Sequence, residues 1–218
     1  MSRGLGDVYK RQANVERPKK EKFIGGFYDK KEVNVLFDIV QGNPLEVAIK
    51  LAAFYGLRRE EIIGLKWNAI DFENSTLTIQ HTVTECNLNG KHIEVASDTA
   101  KTDSSLRTMP LVADFREMLL AKKEKQEHYR KLCGRSYCKE YLDYIFVNEM
   151  GERWKPSYLS DGFKRILEQN DLRRIRFHDL RHTCASLLLA NNVPMKKIQE
   201  WLGHSDFSTT ANIYAHLD

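Results

Sequence analysis

Long hydrophobic runs are missing from this 218-residue sequence. No segment approaches the roughly 18 consecutive apolar residues that a bilayer-spanning helix needs, and the N-terminus lacks the apolar core of a signal peptide. The sequence therefore predicts a cytoplasmic protein with no membrane partner. Strong compositional bias is missing too: 42% of the residues are hydrophobic and 29% are charged, which is typical of a globular domain and excludes a fibrous or disordered chain.

Cysteine is scarce, and the four residues are Cys86, Cys133, Cys138 and Cys184. Only Cys133 and Cys138 are close in sequence, and four residues separate them rather than the two that are typical of zinc knuckles. We therefore expect no metal site. We expect the thiols to be reduced and mostly buried in the core.

A strong excess of one charge is absent as well. The net charge of +4 is by itself weak support for a polyanionic partner. The distribution is more informative, because residues 122–139 hold seven basic and two acidic residues, and residues 164–181 hold six and three. Both segments could neutralise phosphates, although a solvated helix face explains the first of them equally well.

Residues 1–22 lack hydrophobic periodicity and include Arg17-Pro18-Lys19-Lys20. This composition predicts a basic arm or linker, followed by a single domain over residues 23–218. Residues 1–12 fit poorly with the sequence that follows, which leaves open whether they belong to the natural protein.

Hydrophobic residues recur at helical spacing over most of the remaining sequence, which predicts a mainly helical chain. The first helix begins at Asp29, and Asn43 and Pro44 are suited to the start of the second, which stops at Gly56. Further helices are predicted over residues 58–65, 114–131, 156–169, 177–190, 194–202 and 208–215. β-Branched residues and the Asn89-Gly90 turn signal predict a small antiparallel sheet, with strands over residues 76–83, 92–95 and 106–112, and another short strand over residues 144–147. The fold class is therefore mainly α with a small antiparallel β-sheet (α+β).

Reactive side chains are concentrated near the C-terminus, in His178-Asp179-Leu180-Arg181, Leu202-Gly203-His204 and Tyr214-Ala215-His216. Two earlier groups accompany them, Gly56-Leu57-Arg58 followed by Glu61, and Lys101 in the turn before the last predicted sheet strand. In order, spacing and local context this set resembles the tyrosine recombinase family, from about residue 27 to the end of the chain. The motifs are especially similar to those of integrases of phages and conjugative transposons. The resemblance implies the catalytic-domain fold of that family.

The resemblance assigns phosphate binding to Arg58 and Arg181. An attacked phosphodiester develops charge on its non-bridging oxygens, and a guanidinium offers a planar fork of donors that stays charged at any working pH. His178 and Arg181 are three residues apart, so we expect both on one helix face, within reach of one phosphate. For Arg58, an ordinary surface ion pair with Glu60 or Glu61 remains the alternative.

Tyr214 is the nucleophile by resemblance, with His178 as the base or proton acceptor. A free phenol has a pKa of about 10 and must lose its proton as it attacks, which nearby guanidinium charge would favour. The alternative for Tyr214 is a core tyrosine on the helix face of Ala211 and Ala215.

Lys101 is expected to protonate the 5′-hydroxyl leaving group as a general acid. It lies in the sequence Thr-Ala-Lys-Thr, whereas the family often has proline or another residue before this lysine. Lys66 and Lys91 therefore remain competitors for the role.

His204 is expected to donate a hydrogen bond to a phosphate oxygen; alternatively, it only caps the helix that ends at Gly203. Glu61 resembles the family's acidic residue that orients the active-site groups. His182 and His216 are expected to be structural, as are the three tryptophans, Trp67, Trp154 and Trp201.

Three other functions remain open. The dipeptide His178-Asp179, with the further histidines, would suit a metal-dependent phosphohydrolase, although the carboxylates do not cluster with the histidines in the sequence. A non-catalytic DNA-binding module explains the basic segments but leaves Tyr214 and the paired arginines unexplained. A type IB topoisomerase shares similar chemistry, but the Leu-Gly-His context and the short length resemble an integrase more closely.

The resemblance implies a site-specific recombinase that cleaves and rejoins DNA through a 3′-phosphotyrosyl intermediate, without a metal or other cofactor. Its partners would be double-stranded DNA at attachment or recombination sites and other recombinase protomers, in the cytosol or nucleoid of a bacterium. Family members normally carry an N-terminal core-binding domain and a tail beyond the tyrosine, whereas this sequence stops four residues after Tyr214. We therefore expect a mostly monomeric fragment with weak DNA affinity and weak activity.

Overall fold

The computed structural model describes residues 26–88, 91–98 and 106–204. The basic arm, the Asn89-Gly90 turn, Lys101 and the whole segment with Tyr214 and His216 lie outside the described residues.

The first helix, α1 (Lys30–Ile39), begins where the sequence predicts. The Asp29 side chain accepts a hydrogen bond from the Glu32 backbone at 2.8 Å, and the Glu32 side chain accepts one from the Asp29 backbone at 2.8 Å. This reciprocal capping box satisfies two N–H groups that a helix start leaves unpaired. Val33 and Leu36 are buried on the inner face.

Helix α2 (Glu46–Tyr55) begins two residues later than Asn43 and Pro44 predict. The Asn43 side chain accepts a hydrogen bond from Leu45 at 2.9 Å, and its carbonyl accepts one from Glu46 at 2.9 Å, so these residues form a turn before the helix. Six of the ten α2 residues are buried, which places this helix at the centre of the core. The helix ends at Gly56, as predicted, in the left-handed conformation with φ of 67°.

The β-strands form two sheets rather than the single sheet expected. One is three-stranded and antiparallel in the order β1 (Ile70–Asp71), β2 (Thr76–Ile79), β5 (Arg107–Pro110); the other pairs β3 (His81–Leu88) with β4 (Lys91–Asp98). The predicted strand over residues 76–83 is divided at Gln80, because β2 pairs with β5 whereas β3 pairs only with β4. The register sets Leu88 opposite Lys91. Strand β4 includes the predicted strand over residues 92–95, whereas β3 extends beyond the predicted end at Val83.

The remaining helices are α3 (Arg59–Ile63), α4 (Ala113–Cys133), α5 (Pro156–Gln169), α6 (Asp179–Ala190) and α7 (Met195–Leu202). The bounds of α5 agree with the prediction from its first residue to its last. The segment predicted as a strand over residues 144–147 makes only isolated bridges, Lys66 with Tyr144 and Val147 with Arg153. The mainly helical fold class with antiparallel strands is confirmed.

Helix α4 lies on the surface of the domain, and only Phe115 and Leu119 of its residues are buried. One of its lysines is an exception. The Lys122 ammonium lies 5.1 Å from the Phe146 ring centroid and 5.0 Å from that of Trp154. Burial, aided by the charge of Lys125, lowers the pKa of Lys122 to about 8.

All four cysteines are free, but only Cys184 is buried, so the expectation that they lie mostly in the core is wrong. Cys86 is exposed because alternate side chains of β3 face solvent, and it lies on that face. Of the tryptophans, Trp154 is buried and Trp201 stacks on Tyr55 with ring planes 8° apart. Within the described ranges, no helix has the length and apolar character required to cross a bilayer.

Candidate active site

Arg181 is the most deeply placed cation of the candidate site, with 2% of its surface exposed. From α6 its Nη1 donates to the Gly56 carbonyl at 2.6 Å and its Nη2 donates to the Leu202 carbonyl at 2.5 Å. These carbonyls lie at the C-terminal ends of α2 and α7. The last carbonyl groups of a helix have no hydrogen-bond partner within the helix, and they carry partial negative charge. Burial, together with the charge of Arg58, lowers the pKa of Arg181 to about 9, so the guanidinium remains charged at neutral pH.

Arg58 lies at the start of α3 and contacts the same end of α7. Its Nη1 donates to Glu61 Oε1 at 2.8 Å, and its Nη2 donates to the Gly203 carbonyl at 3.2 Å. One third of the Arg58 side chain is exposed, whereas the Glu61 side chain is 4% exposed. The ion pair between Arg58 and Glu61, which was the alternative interpretation, therefore exists. It is not an ordinary surface pair, because the Glu61 carboxylate is buried while Arg58 is partly exposed.

Glu61 accepts hydrogen bonds from two arginine side chains and from one backbone group. In addition to Arg58 Nη1, the donors are Arg107 Nη1 at 3.0 Å, Arg107 Nη2 at 2.7 Å and the Arg58 backbone N–H at 2.9 Å. Burial alone would raise the pKa of Glu61, but the hydrogen bonds and charge of Arg107, with the charges of Arg58 and Arg181, lower it to about 2. The carboxylate is therefore ionised at any working pH, and it accepts a hydrogen bond from the Arg58 guanidinium.

Arg107 is the site residue that the sequence analysis missed. It lies on β5 with 8% of its surface exposed, on the same face as the buried Met109. Alternation in the predicted strand over residues 106–112 could have shown it, because residues 107, 109 and 111 share one face and two of them are apolar. An arginine on the inward face of a strand requires a buried partner, and Glu61 is that partner.

His204 closes the end of α7, as the alternative interpretation expects, and its ring also contacts Arg181. Its backbone N–H donates to the Gln199 carbonyl at 3.1 Å, which closes the end of α7 after Gly203, while its ring Nε2 accepts a hydrogen bond from Arg181 Nε at 3.3 Å. Burial and the charges of Arg181 and Arg58 lower the pKa of His204 to about 3. The ring is therefore neutral at pH 7, and because Nε2 is an acceptor, the proton is on Nδ1.

His178 is adjacent to this group, at the residue preceding α6. The pKa of His178 is lowered to about 4, although the residue as a whole is exposed. The largest cause is the protein packed around its ring, and the charges of His182 and Arg181 add to it. The rings of His178 and His182 lie 5.4 Å apart. In the part of the chain that the structure describes, the buried Nδ1 of His182 has no hydrogen-bond partner. His178 is thus neutral at pH 7 and able to accept a proton.

The structure brings together Arg58, Glu61, Arg181 and His204, with His178 at the edge of the group. It does not describe Lys101 or Tyr214. The competitor Lys66 is described, and its ammonium lies 5.1 Å from the Tyr144 ring centroid. Among the described residues, no three histidine, cysteine or carboxylate side chains form a group that could hold a metal ion.

The chain is similar to known proteins in both sequence and fold. The model of the phage integrase family matches residues 27–218. The chain is 31% identical over 195 residues to a tyrosine recombinase XerC-like protein of Caldanaerobacter subterraneus, covering 87% of this chain and 50% of that protein. It is 26% identical to the integrase of Staphylococcus phage L54a, covering 78% of this chain and 47% of the phage protein. The fold resembles that of the Tn1549 transposon integrase solved with transposon right end DNA, at 18% identity and a TM-score of 0.73, over 97% of this chain and 72% of that one. The chain thus spans about half the length of these two sequence relatives.

Proposed function

The chain belongs to the phage integrase family, and from that premise we propose that it is the catalytic domain of a site-specific DNA recombinase. In this proposal it cleaves and rejoins DNA strands through a 3′-phosphotyrosyl intermediate on Tyr214. The observation that carries the proposal is the convergence of the Arg58 and Arg181 guanidinium groups on the end of α7, beside His204. Two cations held at one point suit the charge that develops on an attacked phosphodiester.

Both arginines keep donors for a phosphate. A guanidinium has five N–H groups, of which Arg181 uses three for Gly56, Leu202 and His204, and Arg58 uses two for Glu61 and Gly203. The remaining N–H groups can bind the non-bridging oxygens, and in this proposal the adjacent His204 also contacts the phosphate. Because the donors are held by the protein before DNA arrives, no reorganisation is required when charge develops.

Two proton transfers accompany cleavage in this proposal. The phenol oxygen of Tyr214 attacks the phosphorus, the bond to the 5′ oxygen breaks, the phenol proton passes to the neutral ring of His178, and Lys101 protonates the departing 5′ oxygen. Rejoining reverses these steps with the 5′-hydroxyl of the partner strand. Strand exchange therefore requires a second protomer that has cleaved its own strand.

Double-stranded DNA is the proposed partner, and a basic cleft next to His178 supports it. The cleft has a volume of about 450 Å³, and its cationic lining comes from Arg59, Lys164, Arg174 and Arg176. Arg59 is fixed by hydrogen bonds to Ser160 at 3.0 Å and Glu60 at 2.9 Å. Glu60 and Asp161 also line the cleft and Arg176 pairs with Asp179, but the four basic residues outnumber the two acidic ones and suit the phosphates that flank the cleaved one.

We further propose the division of the chain into a basic arm over residues 1–22 and the catalytic domain over residues 23–218. The start of the family match at residue 27 supports this boundary. The bacterial and phage sources of the relatives support action in the bacterial cytosol or nucleoid.

The proposal is tested by incubating the protein with a nicked suicide duplex that contains its attachment core and resolving the products on a denaturing gel. We expect a covalent protein–DNA band that persists in a chelator and is lost in Tyr214→Phe. DNA binding without a covalent band would instead favour a non-catalytic DNA-binding module. A band from Tyr214→Phe would overturn the assignment of the nucleophile. Transfer of the cleaved strand to a second duplex separates a recombinase from an enzyme that only relaxes supercoils.

A further inference from the structure

We infer that Arg107 is a positioning residue that neutralises the charge of Glu61. The positive charges of Arg58 and Arg181 are then both available to a phosphate. This inference rests on the proposed function, because it assigns phosphate binding to those two arginines. Nothing in the motifs of the sequence points to Arg107, which follows Lys101 by six residues and lies on the inner face of β5.

The geometry favours Arg107 as the main partner of Glu61. Arg107 donates to both carboxylate oxygens, at 3.0 and 2.7 Å, whereas the Arg58 side chain donates to one of them at 2.8 Å. The Arg107 and Glu61 side chains are 7% and 4% exposed, so little water screens their attraction, whereas the Arg58 side chain is 33% exposed. A two-pronged, buried contact between arginine and carboxylate is stronger than a single, partly hydrated one.

The charge balance of the group explains why this matters. Three guanidiniums, on Arg58, Arg107 and Arg181, surround the single carboxylate of Glu61, which leaves two positive charges for an anion. Replacing Arg107 by a neutral residue would leave one. The carboxylate of Glu61 would then be free to draw the Arg58 guanidinium inward, away from the position of the phosphate.

A simple packing role for Arg107 makes the opposite prediction for a double variant. If Arg107 only filled space or held β5 in place, loss of Glu61 in addition would further weaken the structure. If Arg107 neutralises Glu61, then Glu61→Gln removes the charge that Arg107→Met leaves unbalanced. The local charge of Arg107→Met/Glu61→Gln returns to that of the wild type, and part of the function should return with it.

The experiment uses the full chain and two readouts. The first is the single-turnover rate of Tyr214 adduct formation on saturating suicide DNA. The second is the binding of inorganic phosphate, followed by NMR of the arginine Nε–H signals, which requires no catalysis. We expect Arg107→Met to slow adduct formation and weaken phosphate binding by on the order of tenfold or more, since it leaves a buried charge without its partner. Arg107→Met/Glu61→Gln should be faster and bind more tightly than Arg107→Met alone, and Arg107→Lys should fall between wild type and Arg107→Met.

Arg153 provides a matched control outside the group. Its side chain is 7% exposed and pairs with Glu94 at 2.6 Å, so Arg153→Met removes a comparable buried arginine. We expect this variant to lose stability but to bind phosphate as the wild type does. If Arg107→Met does not fold, the double variant and Arg107→Lys still rank against the wild type, and a double variant that folds but binds no phosphate overturns the inference.

The inference fails if the double variant is no better than Arg107→Met, or if Arg107→Met equals the wild type in both readouts. The proposed function fails differently, through absence of the adduct in the wild type. In that case the phosphate titration still ranks the variants and decides the role of Arg107.

Discussion

Arg58 and Arg181 donate hydrogen bonds to neighbouring carbonyl groups at the end of one helix, Arg58 to Gly203 and Arg181 to Leu202. The two arginines are 123 positions apart in the sequence and come from different helices, α3 and α6. Their shared anchor explains how distant segments present two guanidiniums side by side. The partial negative charge at a helix C-terminus offsets the repulsion between these like charges.

The two arginines should respond differently to replacement by lysine. Arg181→Lys substitutes one nitrogen for a fork that satisfies three separate acceptors, so we expect a loss of about 2 to 4 kcal/mol in the free energy of unfolding. Arg58→Lys, at a partly exposed position, should cost about 1 kcal/mol or less. Denaturant unfolding measures both, and both variants should form the covalent adduct poorly. Equal stability of the two variants would contradict the buried bracing role of Arg181.

Gly56 should tolerate alanine less well than Gly42, which provides the matched control. Both have positive φ, 67° and 75°, so each alanine carries strain of about 1 to 2 kcal/mol. At Gly42 a Cβ atom would meet nothing within 4 Å, whereas at Gly56 it would collide with the side chain of Leu202. We therefore expect Gly56→Ala to lose roughly a further 1 to 3 kcal/mol from overpacking. If thermal unfolding shows the two variants to be alike, the contact between α2 and α7 is looser than described.

Stability should fall as the pH is lowered from 7 to 5. His204 and His178 have folded pKa values of about 3 and 4, below the 6.5 of an unperturbed histidine, so in this window the unfolded chain binds protons that the folded chain does not. For the buried His204, each pH unit below 6.5 lowers the free energy of unfolding by at most about 1.4 kcal/mol. Glu61 contributes above its unperturbed pKa of 4.5 and loses its contribution as the pH falls through about 2, so it does not add to this change.

Urea unfolding at pH 7 and pH 5 checks this prediction. His204→Asn should reduce the loss, while His128→Asn, on the exposed face of α4, should leave it unchanged. A His204→Asn variant with the full loss would show that another group causes it.

Lys122→Met should raise the free energy of unfolding at pH 7 by about 1 kcal/mol, because it removes a desolvated charge and keeps an apolar chain between the Phe146 and Trp154 rings. The pKa of Lys122 is lowered to about 8 in the folded state, so its penalty is present below about 8 and disappears as the pH rises toward 10.5. Lys131→Met, 77% exposed on the same helix, should have no comparable effect. A destabilised Lys122→Met would indicate that the attraction to the rings outweighs the burial of the charge.

Much of the fold follows from local patterns in the sequence. The bounds of α5 were predictable because Pro156 fixes a helix start and apolar residues repeat at helical spacing up to Gln169. The division at Gln80 was not predictable, because it depends on which strand lies beside each half, and that is a property of the tertiary structure. The exposure of Cys86 also depends on tertiary structure, since the elements packed against β3 decide which of its faces is covered.

In the candidate site, likewise, sequence motifs identified most of the residues but not the contacts and burial that depend on tertiary structure. The motifs located Arg58, Glu61, Arg181 and His204, and the structure brings all four together. They did not locate Arg107, because its role comes from one long-range ion pair that no short spacing encodes. Nor could spacing show that Arg181 is buried and His178 exposed, although one helical turn separates them.

The anchored end of α7 also sets an upper limit on the distance between the arginine group and the proposed nucleophile, Tyr214. Tyr214 follows His204 by ten residues, and a chain of that length spans at most about 35 Å. With the end of α7 held by two guanidiniums, the phenol is confined to a sphere centred close to the arginines that are proposed to bind phosphate. Its encounter with a bound phosphate is then governed by an effective local concentration rather than by free diffusion. A longer or shorter tether after His204 would change that concentration without altering a single contact within the arginine group.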